Sequence, residues 1–239
     1  MREIEELVRN VKKYKNALVQ KQFKSKKNTV SYVILNDKPR VLKWFAPGFK
    51  KNMETEYAIL KEGSAKLNVP TPLDKDVRNN VIVMNYIIGK NLCDVINDEY
   101  TPVDEKKRHI FALAEWYVKF HKHFRIEDRL RIRGDSVLRN FILTNRIWGV
   151  DFEESRNGEP IEDIAGMCSS ILTTDPMFTD GKFQLCKVFI EAYEKSVKWS
   201  LGNVDDEIAY ALLEKIQWRP EEEETLRKYS KRIRERGLR

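Results

Sequence analysis

The sequence predicts an α+β protein of two unequal lobes: a small antiparallel-sheet lobe with one main helix, and a compact, mainly helical lobe. Three observations lead there. Strand-like runs at Val30 to Leu35, Val41 to Phe45 and Val81 to Ile87 all fall in the first part of the chain. Beyond about residue 90, apolar positions recur at helical spacing instead. The short stretch Asn85 to Gly89 separates the two patterns, which sets the expected boundaries at 1–84 for the first lobe, 85–89 for a hinge and 90–239 for the second.

Each element has its own signal. Ile4, Leu7, Val8 and Val11 share one stripe of a short amphipathic helix. The first two strands flank the turn residues Asn36-Asp37-Lys38-Pro39. A helix with Met53, Tyr57 and Leu60 on one stripe ends near Gly63, and a loop punctuated by Pro70 and Pro72 precedes the most apolar strand. In the second lobe Thr101-Pro102-x-Asp104 reads as a helix start, with Ile110, Leu113, Ala114, Tyr117, His121 and Phe124 tracing its buried stripe. Short strands at Phe141 to Leu143 and Ile147 to Val150 are joined by the tight turn Thr144-Asn145-Arg146, and helices resume over 163–172, 182–199, 204–217 and 221–236.

Hydrophobic residues make up 41% of the chain and charged residues 34%, a composition that supports a sizeable core and excludes wholesale disorder or a membrane span. Glu3, Glu5 and Glu6 stand where a signal peptide would be apolar, so a cytoplasmic protein without a targeting segment is expected. Cys93, Cys168 and Cys186 form no C-x-x-C pair and His121 and His123 diverge on a helix, so any metal should be held by oxygen. The net charge of +7 is unevenly spread: eight Lys/Arg and no acid lie between Arg9 and Lys27, and seven against one acid, Glu235, between Arg227 and Arg239. These basic ends are either solvated helix faces or a track for a polyanion, most simply nucleic acid.

Residues able to do chemistry concentrate in two regions. One comprises Arg133-Gly134-Asp135-Ser136-Val137-Leu138-Arg139-Asn140 and Ile147-Trp148-Gly149-Val150-Asp151-Phe152-Glu153. If 144–146 form a hairpin turn, Asn140 and Asp151 leave the two strands at the same end, an amide oxygen beside a carboxylate, which suits Mg²⁺. Asp135 would lie in the adjacent loop, free to accept a proton. In the first lobe, alternation puts Lys43 on the face of Val41 and Phe45, while Glu56 shares a helix face with Met53, Ile59 and Leu60. A cation and an anion each on an apolar face need one another, so Lys43 and Glu56 are expected to pair.

A strand lysine, a helix glutamate, an apolar strand ending in Met84-Asn85-Tyr86-Ile87-Ile88-Gly89, then G-D-x4-N and D-F-E, in this order, resemble the protein-kinase-like fold over roughly residues 17–200. The pattern is most similar to its small atypical branches, the RIO and Bud32 kinases and the aminoglycoside phosphotransferase type. The resemblance implies ATP as phosphoryl donor and Mg²⁺, with Mn²⁺ as the alternative. It implies that Lys43 meets the α- and β-phosphates and that Glu56 fixes Lys43. Asn140 and Asp151 would hold the metal, and Asp135 would orient the acceptor hydroxyl and take its proton. The backbone of Asn85, Tyr86 and Ile87 would meet adenine below Met84. His121 resembles the structural histidine ending the long helix of such lobes, and Asp163 the aspartate that braces the catalytic loop.

The sequence also departs from that pattern. The loop Lys21 to Asn28, where a glycine-rich loop belongs, contains no glycine, and Lys24, Lys26 and Lys27 are expected to supply side-chain charge to the substrate side. Arg133 and Arg139 are the cations expected beside the catalytic loop. No A-P-E sequence or long activation segment separates Asp151 from Asp163, so a peptide-docking platform is missing. An aminoglycoside-type acceptor would call for an acidic pocket. The expected substrate is RNA, because the sequence resembles small archaeal RIO-like kinases that phosphorylate an internal ribose 2′-hydroxyl of tRNA, and the basic ends fit a phosphate track. The alternative is a RIO- or Bud32-like Ser/Thr protein kinase. No membrane partner is expected.

Overall fold

The strand propensity of the first third resolves into one sheet. The computed structural model describes residues 4–23, 25, 27–125 and 129–238. It divides into two units, Met1–Ile88 with Val150–Glu154, and Gly89–Gly149 with Ser155–Arg239.

In the first unit α1 (Ile4–Asn10) precedes β1 (Leu18–Phe23), β2 (Thr29–Leu35), β3 (Lys38–Trp44), α2 (Lys50–Gly63), β4 (Pro72–Asp76) and β5 (Val81–Asn85). The five strands form an antiparallel sheet in the order β1-β2-β3-β5-β4. β2 and β3 turn at Asn36 and Asp37, with φ of 51° and 58°; two left-handed residues give a hairpin turn whose twist matches the strands it joins. Register then decides what each face carries. Lys43 lies opposite Val30 on one side and Ile82 on the other, and Val41 opposite Tyr32 and Met84, so these residues share one face. On the other face Val33, Leu42, Trp44, Val81 and Val83 form a core with Ile4 and Leu7 of α1 and with Tyr14.

The edge strands carry little sequence signal. β1 is largely exposed, with Gln20, Lys21 and Gln22 at its centre, and β4 opens on Pro72 and continues through Asp74, Lys75 and Asp76, so part of the expected loop is an edge strand. Proline and charge are what an edge tolerates and a central strand does not.

The second unit contains β6 (Lys90–Asn91), α3 (Leu92–Asn97), α4 (Val103–His123), β7 (Arg131–Ile132), β8 (Phe141–Leu143), β9 (Ile147–Gly149), β10 (Arg156–Asn157), α5 (Pro160–Leu172), α6 (Asp180–Ser196), α7 (Val204–Glu214) and α8 (Glu223–Arg236). α4 buries the expected stripe, and its Tyr117 meets Phe189 of α6 edge-on at 5.6 Å. α5 starts with Pro160 in its first turn and a capping box between Glu159 and Glu162, which satisfies orphan N–H groups there. α8 docks through Leu226, Ser230 and Ile233, with Ser230 Oγ donating to the Ala209 carbonyl of α7 at 2.8 Å, while Arg227, Lys228, Lys231, Arg234 and Arg236 face solvent. The basic C-terminal run is thus a packed helix with a solvated cationic face. No helix among the described residues is long and apolar enough to cross a membrane.

The end of β9 has no room for a side chain. A Cβ at Gly149 would overlap the Trp116 ring of α4 and stand 3.0 Å from Arg133 Nη1. Gly149→Ala is expected to destabilise the protein by about 1–3 kcal/mol through overpacking, read as a lower urea midpoint at unchanged slope.

Candidate active site

The alternation of β3 and the stripe of α2 bring two charges into an apolar layer. Lys43 is 3% exposed and Glu56 1%. Lys43 Nζ donates to Glu56 Oε2 and to Asp151 Oδ1, each at 2.6 Å, and lies 2.9 Å from Glu153 Oε2. An ammonium has three protons, and three carboxylates take them. Asp151 presents its carboxylate from a left-handed backbone, φ 63°, which aspartate tolerates better than most residues.

Burial alone would drive the Lys43 ammonium towards neutrality, but Asp151, Glu56 and Glu153 outweigh it and hold the cation charged, well above the ordinary lysine range. For Glu56 burial dominates and favours the neutral acid; Lys43 opposes and Asp151 adds to the rise, so its carboxyl is pushed up to about 7. Burial raises Glu153 as well. Lys43 shifts upward because three anions face it, and Glu56 chiefly because burial disfavours its charged form. The surplus negative charge fits a hard divalent cation such as Mg²⁺, and oxygens of Glu56, Asp151 and Glu153 lie within 4.8 Å of one another.

The remaining expected residues of this unit are placed as follows. Met84 and Ile87 are buried, and Tyr86 stacks on Tyr32 with ring centroids 4.2 Å apart. The Asn85 N–H donates to the Thr71 carbonyl at 3.1 Å, so that group is already committed within the sheet. Lys27 pairs with Glu154 at 2.5 Å. Lys24 and Lys26 lie outside the described residues.

In the second unit Asp135 is exposed, and the Asn140 amide donates to its Oδ2 at 3.1 Å and to its carbonyl at 3.2 Å. With its N–H groups so used, Asn140 has its amide oxygen to offer a cation. The loop is braced from below by Asp163 of α5, 1% exposed. Asp163 accepts from Arg133 N at 2.7 Å, Gly134 N at 3.1 Å and Ser136 Oγ at 2.7 Å, and faces His121 Nε2 at 3.1 Å. Burial opposes the charge of Asp163, but these partners hold its carboxyl below the ordinary aspartate range. His121 Nδ1 in turn meets the Tyr193 hydroxyl at 2.7 Å.

Arg133 corrects an expectation. It is 1% exposed, with its guanidinium 4.7 Å from the Phe141 ring centroid and 5.4 Å from that of Trp116. Within its unit it packs between aromatic rings and does not stand at a substrate surface. Arg139 is exposed, and its carbonyl accepts from Asn91 at 2.8 Å. The structure therefore brings Lys43, Glu56 and Asp151 together in one unit, and Asp135 and Asn140 together in the other. Sequence reasoning passed over Glu153, Asn28 and Ser136 as site residues. For Glu153 the signal was present, since it follows Asp151 at a spacing of two in a short, irregular segment.

A buried lysine paired to a helix glutamate under a five-stranded antiparallel sheet, with an Asp135–Asn140 loop braced in a helical unit, defines the protein-kinase-like fold. Among solved structures the chain is similar to choline kinase LicA from Streptococcus pneumoniae, with a TM-score of 0.63 and 14% identity over 98% of each chain. A choline/ethanolamine kinase family protein from Mesorhizobium loti gives 0.63 and 14% over 96% of this chain and 94% of that one. The gentamicin–APH(2″)-IIa complex gives 0.58 and 11% over 95% and 93%. By sequence, no family model and no curated protein matches the chain.

The ion cluster makes stability depend on pH in a defined sense. Glu56 titrates near 7 in the fold against an ordinary value of 4.5, so between those values the folded state binds more protons than the unfolded one. This group's contribution falls as pH rises through that window and levels off above it. Melting curves from pH 4.5 to 8 should show that slope, and Glu56→Gln should flatten it. Lys43→Ala, which leaves three carboxylates without their cation, should cost about 3–5 kcal/mol.

Proposed function

We propose that the chain is an ATP-dependent phosphotransferase that moves the γ-phosphoryl group to a hydroxyl of RNA, an internal ribose 2′-hydroxyl of tRNA, in the manner of small RIO-like kinases. The carrying observation is the buried Lys43 held by Glu56 beside Asp151. Buried ion clusters are poor stabilisers for what they cost to desolvate, and perturbed groups of this kind concentrate where chemistry is done.

In this reading Lys43 meets the α- and β-phosphates and Glu56 keeps it in place. Asn140 and Asp151 would hold Mg²⁺ or Mn²⁺, which when bound would neutralise phosphate charge. Asp135 orients the acceptor hydroxyl and receives its proton as the bond from the γ-phosphorus to ADP breaks and the bond to the acceptor oxygen forms. Met84 and the backbone of Asn85 to Ile87 meet adenine.

Two features favour RNA as acceptor. Between Glu154 and α5 the two-residue β10 is the only regular element among the described residues, too little for a peptide-docking platform. The solvated cationic face of α8, with Arg227, Lys228, Lys231, Arg234 and Arg236 exposed, is the second, and it suits a phosphate-bearing substrate. A small-molecule alcohol is the second reading, favoured by the choline kinase and gentamicin-bound structures that match nearly the whole chain.

The test offers γ-labelled ATP together with, separately, total tRNA, a protein lysate, choline and gentamicin. Label should enter tRNA and resist nuclease P1 at an internal 2′-phosphate; label in protein or a small molecule instead would replace the RNA acceptor. Asp135→Asn should lower turnover by about 10²–10⁴-fold while Mg·ATP binding persists. If the α8 cations track phosphates, neutralising Lys228 and Arg236 should reduce the log–log salt slope of tRNA binding by about 0.7–0.9 per lost contact.

A further inference from the structure

The loop between β1 and β2 has no glycine and so cannot wrap phosphate with bare backbone. Its position is set by side chains. Asn28, which closes the loop, is 2% exposed. Its Oδ1 accepts from Ala46 N at 3.0 Å and its Nδ2 donates to Glu153 Oε2 at 2.5 Å, so the amide is committed at both ends. The same Glu153 oxygen lies 2.9 Å from Lys43 Nζ. The Glu153 carbonyl accepts from Asn52 of α2 at 3.1 Å, and the neighbouring Glu154 pairs with Lys27 at 2.5 Å. One carboxylate oxygen therefore joins the loop to the buried ammonium.

We propose that Asn28 and Glu153 form a clamp that does the work of the missing glycines, making Asn28 a positioning residue for the nucleotide phosphates. The clamp rests on the phosphotransfer reading above and adds the means by which Asn28 is held beside Glu153, a partner of Lys43. A glycine-rich loop fits phosphate by close backbone approach; here Asn28 is tied down by an amide-to-carboxylate bond. That bond has a polarity. Asn28→Asp places a carboxylate against Glu153 and drives residue 28 away from it. Glu153→Gln alone retains a carbonyl oxygen to accept from Asn28. Combining the two removes the carboxylate–carboxylate repulsion and lets the new amide at position 153 donate to the new carboxylate at position 28, while the contact that the same atom made with Lys43 is lost.

The experiment compares the full-length chain, both single variants and the double variant by calorimetric titration with Mg·ATP, alongside melting temperature, KM and kcat. Asn28→Asp should weaken Mg·ATP binding by about tenfold or more and raise the KM for ATP in step, with a smaller change in kcat. The double variant should recover part of the lost affinity, a coupling that additive effects would not produce. If Asn28→Asp does not fold, Asn28→Ala, which deletes both the donor to Glu153 and the acceptor for Ala46 N, goes through the same titration with the same expectation. Wild-type affinity in a folded Asn28 variant, or a double variant as weak as Asn28→Asp, would overturn the clamp and leave the phosphotransfer reading standing. A native chain that binds no Mg·ATP would instead overturn that reading, and the clamp with it.

Discussion

The burial of one ammonium sets the terms for the whole first unit. Removing Lys43 from water costs several kcal/mol unless its partners are in place, and those partners come from a helix and from a segment more than a hundred residues later. The register of β3 is therefore fixed by charge as well as by apolar packing. A slip of one residue would turn Lys43 into the layer of Ile4, Leu7 and Val83, and would carry Leu42 and Trp44 out of it. Sheet register, the face of α2 and the path of residues 150–154 answer to the same constraint.

The second unit solves a similar problem with the opposite sign. Asp163 is a buried carboxylate satisfied by two backbone N–H groups, a hydroxyl and a histidine. Because the backbone donors belong to Arg133 and Gly134, the conformation of the loop just before Asp135 follows from where α5 puts one side chain. Arg133 contributes in another way, filling the space between Trp116 and Phe141 with a cation that aromatic faces attract.

Much of this was legible in the sequence, for identifiable reasons. Lys43 and Glu56 declared themselves by sitting on apolar faces of a strand and a helix, where a charge has no cause to be unless it is paired. The central strands announced themselves through β-branched runs. β1 and β4 did not, because edge strands are selected for polarity and lose the alternation that makes a strand readable. Arg133 misled because a residue's number in a motif says nothing of which way its side chain turns. Asn28 was missed because its contact with Glu153, across 125 positions, leaves no local periodicity.

The first unit is discontinuous, since residues 150–154 complete it although the second unit flanks them on both sides. A chain emerging from the ribosome makes the sheet and α2 first, when Lys43 has Glu56 alone and the pair is electrically neutral. The surplus carboxylates arrive only after α4 and the Asp135 loop have been synthesised. The nascent sheet can thus assemble around a balanced pair, and the unbalanced charge is added last, by a strip of backbone too short to fold by itself.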